Sequence, residues 1–241
     1  MAQTTQTPTL QSLSPTDEAT GVLPSANLVV TLSEDIVLGT GNIVILDSND
    51  VPAVAIDVTN HAGQLSISGG VLTINPTADL VEQMSYYVQI AGTAITDIPG
   101  NAYAGIANNT SWNFSVADIT PPVVAVITPD GTPAADDASM DFLVVFDETA
   151  NAITTDDFTL TSTGTAAGTI ASVSAVSGSS VTVTVSGITG TGTLRLDVVA
   201  NTDIVDDADN GNNTNGYVAA FTGGTAHTVD RDAPAAPSAP D

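Results

Sequence analysis

Two kinds of residue are almost missing from this chain of 241. It has no cysteine, and its only cations are Arg195 and Arg231. Without cysteine there is neither a disulfide framework nor a zinc–thiolate site, so stability has to come from packed cores, helped at most by metal. Two arginines against 27 acidic residues leave a formal charge of −25. Phosphate recognition needs Lys and Arg, so nucleic acid is excluded as a partner, and an anionic membrane surface is excluded on the same ground. No apolar run of about 18 residues occurs, which excludes a membrane-inserted helix. The opening MAQTTQTPTL has neither a basic n-region nor an apolar h-region, so no signal peptide is expected there. Either export is read elsewhere or the sequence is an excerpt of a longer chain. No G-x-S-x-G elbow is present, so serine-hydrolase chemistry has no support. A glycosidase carboxylate pair would need aromatic platforms, and Trp112 is the only tryptophan. Its alternation with Phe114 makes it a core residue. His61 and His227 are isolated, and no catalytic residue is assigned; the chain is expected not to be an enzyme.

What is present points to strands. Hydrophobic residues make up 42% of the chain and aromatics only 4%, so Val, Ile, Leu, Thr and Ala supply the packing. Short alternating runs separated by turn residues recur: 28–32, 42–46, 51–58, 64–67, 71–74, 86–90 and 112–116. After a stop at Asp118-Ile119-Thr120-Pro121-Pro122, where two prolines forbid a continuing ladder, they resume at 123–127, 141–146, 158–161, 168–173, 181–185, 194–199 and 217–221. Such spacing predicts an all-β sandwich fold. No segment keeps a helical period over three turns; 78–84 is one turn at most. Tyr86 and Tyr87 cannot both face inward on a strand, so one is an expected exposed contact. Arg195, on the polar face of its strand, is expected to pair with a cross-strand carboxylate. Edge strands rich in Thr, Asp and Gly predict a monomer.

The chain also repeats itself. Asp118 stands four residues before Pro122, as Asp230 does before Pro234, a period of 112 residues, about one Ig-sized sandwich. Pro8 precedes Glu34, and Pro122 precedes Glu148, by the same interval. Ile95-Thr96-Asp97 with Gly100-Asn101 matches Ile204-Val205-Asp206 with Gly211-Asn212, the second loop two residues longer. The reading is all-β: two tandem Ig-like β-sandwiches joined end to end by a short Pro-containing linker. Residues 1–7 are a disordered lead, 8–117 the first domain, 118–122 the linker, 123–229 the second domain and 230–241 a linker to a following module.

Of the 27 acids, 23 are Asp, the acid of turns and ion-binding loops rather than helices. Their densest stretch is DIVDDADNGN, from Asp203 to Asn212. Four carboxylates held that close repel unless a cation is bound among them, and hard oxygens on a glycine-bearing turn suit Ca²⁺, which takes about six to eight such ligands. In an Ig sandwich the end of strand B and the F–G loop lie at the N-terminal pole. That brings Asp147 and Glu148 toward Asp206, Asp207 and Asp209, with Asp118 entering from the linker. The expected metal ligands are therefore Asp118, Glu148 and Asp206 with Asp147, Asp207 or Asp209. Glu34, Asp35, Asp97 and Asn101 form a thinner set in the first unit. Asp17 and Glu18, placed in the A–B loop, are a possible contribution to the joint. Asp230 and Asp232 are assigned to a next module and expected to be solvated. The alternative is a set of hydrated acidic loops holding no ion.

The motifs SPTDEATGV, a strand ending SED, and YYVQIAGTAITDIPGNA in the first unit resemble the bacterial Ig-like domains of surface-layer proteins. FDET, DDFTL, GTLRLDV, IVDDADNGN and FTGGTAHTVDRDAP in the second resemble sister repeats of large repetitive, type I-secreted adhesins. The chain departs from that pattern at Thr4-Thr5-Gln6-Thr7, where an acidic linker is usual, and in SED and DET, where SEP is usual. The resemblance implies a non-catalytic extender of an extracellular or cell-surface bacterial protein. Its partners would be neighbouring Ig-like modules of the same chain, and Ca²⁺ would sit at or near the joints. Two alternatives follow: a glycan- or protein-binding module, favoured by exposed aromatics near Tyr86 or Tyr103, or an accessory domain of a secreted polysaccharide-degrading enzyme.

Overall fold

The computed structural model describes residues 6–211 and 218–232. The chain divides into two compact units, Met1–Asp118 and Ile119–Asp241. Among the described residues, structure is strand and turn apart from one 3₁₀ turn, Thr155–Asp157. The expected all-β class is the one observed.

The first unit has eleven described strands: β1 Leu10–Ser14, β2 Ala19–Val22, β3 Leu28–Leu32, β4 Ile36–Leu38, β5 Asn42–Asp47, β6 Pro52–Asp57, β7 Leu65–Ser68, β8 Val71–Ile74, β9 Ser85–Ile90, β10 Ile95–Asp97 and β11 Asn113–Val116. One sheet runs β1-β3-β8-β7, the other β2-β11-β9-β5-β6, and β10 pairs with β4. This is Ig topology, with β1, β3, β8 and β7 as strands A, B, E and D. The initial strand is split. Its first half pairs antiparallel with β3, and its second half, β2, crosses to the other sheet and runs parallel to β11. Both inner faces feed one core, in which Leu28, Val30, Ile43, Ile45, Leu72, Val88 and Trp112 are fully buried. Each such side chain contributes roughly 1.5–3 kcal/mol by leaving water. Trp112 also donates its indole N–H to Pro15 O at 2.9 Å.

The second unit repeats the plan with fewer strands: β12 Val124–Pro129, β13 Ser139–Ala150, β14 Phe158–Gly164, β15 Ala167–Val173, β16 Gly178–Thr189, β17 Thr191–Val198 and β18 His227–Asp230. The order β12-β13-β16-β15 is again A-B-E-D, facing β14-β17-β18. Phe142, Val144 and Phe146 point inward with Val181, Val183 and Val185, as their alternation predicts.

The sequence misplaces one strand and misses four. The last strand is His227–Asp230, not 217–221; Phe221 makes only an isolated bridge with Val198, and Tyr217 lies outside the described residues. β1, β2, β4 and β10 are short, and β1 and β2 are mostly exposed, so they carry no strong alternation. Tertiary pairing rather than local pattern makes them strands.

Candidate metal centre

Both units contain the same five-residue loop after the F strand. In the first, Asp97 is buried, and its two carboxylate oxygens accept the backbone N–H of Asn101 at 2.6 Å and the Asn101 Nδ2 at 2.7 Å. The Asp97 N–H returns to Asn101 O at 2.9 Å, and the Gly100 N–H closes on Asp97 O at 3.1 Å. In the second, Asp206 is buried and accepts the Asn210 N–H at 2.8 Å and Asn210 Nδ2 at 2.6 Å, with the Ala208 N–H adding a third bond at 2.7 Å. The Asp206 N–H returns to Asn210 O at 3.1 Å, and the Asp209 N–H closes on Asp206 O at 3.3 Å. The aspartate at the head of each loop therefore fixes the turn by receiving its own backbone and the amide of the closing asparagine. Position four takes the left-handed conformation in both loops, at φ 97° for Gly100 and φ 67° for Asp209.

This corrects the correspondence read from sequence. Asn101 matches Asn210, not Asn212, and the two loops have equal length. The repeated Gly-Asn dipeptide drew the alignment two residues away, and Asn212 lies outside the described residues. Asn210, 1% exposed, is the residue the sequence reading passed over. Its signal was there to be found, in the Asp-x-x-x-Asn spacing common to both units.

The end of the B strand lies beside this loop, as Ig topology requires. In the second unit, β13 loses regular register between Val145 and Ala150, and Asn151 bridges Val205. Such an irregularity re-aims side chains, and it holds Glu148. One carboxylate oxygen from each of Glu148, Asp206 and the linker residue Asp118 lie within 4.8 Å of one another. Asp118 also accepts Gln83 Nε2 at 2.7 Å. Neither arginine balances the three: Arg195 is committed to Asp197 at 2.7 Å, and Arg231 donates to the carbonyl of Asp136.

The other expected ligands fall outside this trio. Asp147 caps the entry of β12, accepting the Val123 N–H at 2.7 Å. Asp207 is exposed and accepts Asn151 Nδ2 at 2.8 Å, and Asp209 is exposed on the loop's left-handed position. In the first unit Glu34 is half-buried, and its Oε1 is buried without a hydrogen-bond partner among the described residues. Asp35 is exposed, and the β4–β10 pairing sets Ile36 opposite Asp97.

Asp17 and Glu18 do not occupy the A–B turn. They lie on the crossing from β1 to β2, where Asp17 accepts the N–H and Nδ2 of Asn113 at 2.9 and 3.1 Å. Pro15 precedes the crossing that splits strand A, so these acids sit partway along it rather than at its end. Asp230 and Asp232 are exposed but not simply solvated: both accept the Thr191 hydroxyl, at 3.3 and 2.8 Å.

Three further expectations are revised. Arg195 pairs with Asp197 two residues along its own strand, on the same face, not across to a neighbour. Burial pushes the Asp197 carboxyl up, but the bonds from Arg195 and Thr161 together outweigh it, and its pKa falls below the usual aspartate value. Tyr86 and Tyr87 are both buried, as is Tyr103. Tyr86 packs inward, its ring centroid 6.2 Å from that of Phe114. Tyr87, on the outer face, is covered while its hydroxyl donates to Asp50 at 2.7 Å. Burial raises the Asp157 carboxyl, with Asp203 nearby adding to the shift against the bonds Thr154 donates.

No curated protein matches this sequence. The chain is similar to a solved structure described as the D00-D0 domain of intimin, at 15% identity, over 92% of this chain and 99% of that one, with a TM-score of 0.31. The family model described as a bacterial Ig-like domain matches residues 4–116, nearly the whole first unit and the span over which the A-B-E-D sheet and its partner were traced. The first unit is therefore a bacterial Ig-like domain.

Proposed function

We propose that this chain is an extender segment of a secreted or cell-surface bacterial protein, stiffened by Ca²⁺. The observation that carries the reading is the meeting of three carboxylates from three distant segments, Asp118, Glu148 and Asp206. Their mutual repulsion disfavours the arrangement unless a cation offsets it. All the donors are hard oxygens, and Asp206 is held in place by three N–H donors, which fits Ca²⁺ better than a metal that wants nitrogen or sulfur. The ion would tie the linker to the loop that follows the F strand, and the linker would lose bending freedom. In the first unit, Glu34 and Asp97 would offer a weaker set, since Thr4, Thr5, Gln6 and Thr7 supply no linker carboxylate. The match of the first unit to a bacterial Ig-like domain, and a second unit repeating its A-B-E-D order, support the extender role. No chemistry on a substrate is assigned.

Calorimetric titration with Ca²⁺ at near-physiological salt tests the ion, and small-angle scattering with Ca²⁺ and with chelator tests the stiffening. Heat that saturates in wild type and is lost in Glu148→Gln supports the site. Absence of heat at millimolar Ca²⁺ removes it. An unchanged maximum dimension with and without chelator removes the mechanical role.

A further inference from the structure

The first unit carries a cleft of about 550 Å³ on the outer face of its β2-β11-β9-β5 sheet, inside the range of about 300–1,000 Å³ typical of small-molecule sites. Its floor is set by strand register. Ser85 stands opposite Ser115, and Tyr87 opposite Asn113, across the β9–β11 pair. Alternation puts these four on one face, with Tyr86 and Phe114 turned to the core beneath them. Ser48, from the turn after β5, Asn109, from the loop before β11, and Glu18, from the crossing into β2, form the walls.

The parts are held firmly. Asn113 is clamped by Asp17, and the Glu18 N–H donates to Asn113 O at 2.7 Å with Glu18 at φ 60°. The Tyr87 phenol is pushed up from its ordinary pKa by its bond to Asp50, by burial and by the Asp50 and Asp47 charges, so it stays protonated and keeps its ring in place. By contrast, no hydrogen bond within the described protein engages the hydroxyls of Ser48, Ser85 or Ser115.

We propose that this cleft is a binding site for a neutral saccharide unit. Unengaged serine hydroxyls along a fixed floor and wall match the alternating donors and acceptors of a sugar ring. The lining has one carboxylate and no cation, and the chain carries −25 overall, so a uronic, sialic or sulfated sugar would be repelled. Among the described residues no exposed tyrosine offers a stacking platform, so recognition rests on hydrogen bonds, and affinity is expected near millimolar. This site is independent of the Ca²⁺ reading, since none of its lining residues belongs to the three-carboxylate group.

The test is an amide-resolved NMR titration of the full 241-residue chain with N-acetylglucosamine, galactose and N-acetylneuraminic acid, in Ca²⁺ and in chelator. The expected result is a saturable shift at the amides of Ser48, Ser85, Asn113 and Ser115 with at least one neutral sugar, in both buffers. The anionic sugar should give none. Ser115→Tyr, which fills the cleft, and Ser85→Val, which removes a floor hydroxyl, should each weaken binding about tenfold or more, one hydrogen-bond partner being worth on the order of a factor of ten. Their unbound spectra should keep wild-type dispersion. No response to either neutral sugar at tens of millimolar overturns the proposal. So does an equal response to the anionic sugar, or binding undiminished in both variants. Loss of Ca²⁺ binding with the sugar response intact would overturn the extender reading instead.

Discussion

Two aspartates of the second unit show how environment decides what one residue type contributes. Asp157 and Asp197 are both buried, at 2% and 3% exposure. Asp157 has no cation partner, and its pKa is raised by burial first. The folded protein therefore holds that proton more tightly than the unfolded chain, whose value is about 3.9. Stability is highest below that value and falls as pH rises through the folded pKa. Asp157→Asn keeps an oxygen for the Thr154 N–H and removes the charge, so its thermal midpoint should exceed wild type at pH 7 and converge with it below about pH 4. Asp197 behaves in the opposite sense. Its lowered pKa means a contribution fully present above about pH 4 and lost as pH falls through the folded value. Asp197→Asn should lower the midpoint at neutral pH, with the gap closing in acid. At the loop asparagines, Asn210→Ala leaves one buried oxygen of Asp206 without its side-chain donor, a cost of about 1–3 kcal/mol. Asn101→Ala should show a similar loss by chemical denaturation, because Asp97 has the same partner.

Connections between elements are as demanding as the residues within them. Gly190 alone separates β16 from β17, and so carries the chain from one sheet to the other. It sits at φ 76°, and a Cβ there would lie 2.0 Å from Thr165 O. Gly190→Ala should destabilise the second unit by well over about 1 kcal/mol, since left-handed backbone and a backbone clash act together. In a two-transition melt of the whole chain, only the transition of the second unit should move. Little of this was visible beforehand. The buried strands β3, β5, β8, β13 and β16 announce themselves by alternation of large aliphatics. The strands β1, β2, β4 and β10 do not, because only a neighbour's ladder defines them. The same limit explains the two-residue misalignment of the Asp97 and Asp206 loops: the Gly-Asn pair is a strong local turn signal, whereas Asp-x-x-x-Asn matters only once the chain has closed on itself.

For the molecule as a whole, charge is the governing quantity. A net −25 disfavours the compact state through self-repulsion. Added NaCl should therefore raise the thermal midpoint, most steeply below about 0.1 M, where screening lengths exceed about 10 Å. Ca²⁺ should act beyond screening. At a concentration about 100 times its dissociation constant, a bound ion adds about 2.7 kcal/mol. That gain should persist against a background of NaCl and disappear in Glu148→Gln. An equal effect of Mg²⁺ at matched ionic strength would indicate screening in place of a site.

The sequence by itself determined the fold class and the repeat, because burial patterns are properties of residue type and order. It also placed Glu148 near Asp206, since Ig topology sends the end of strand B and the F–G loop to one pole. The tertiary structure decided which carboxylates remain together there. Asp147 and Asp207 are drawn off by Val123 and Asn151, a competition for hydrogen bonds that exists only after long-range pairing has brought those donors within reach. The cleft over Ser85 and Ser115 was likewise invisible, because its walls come from three segments that the chain order keeps far apart.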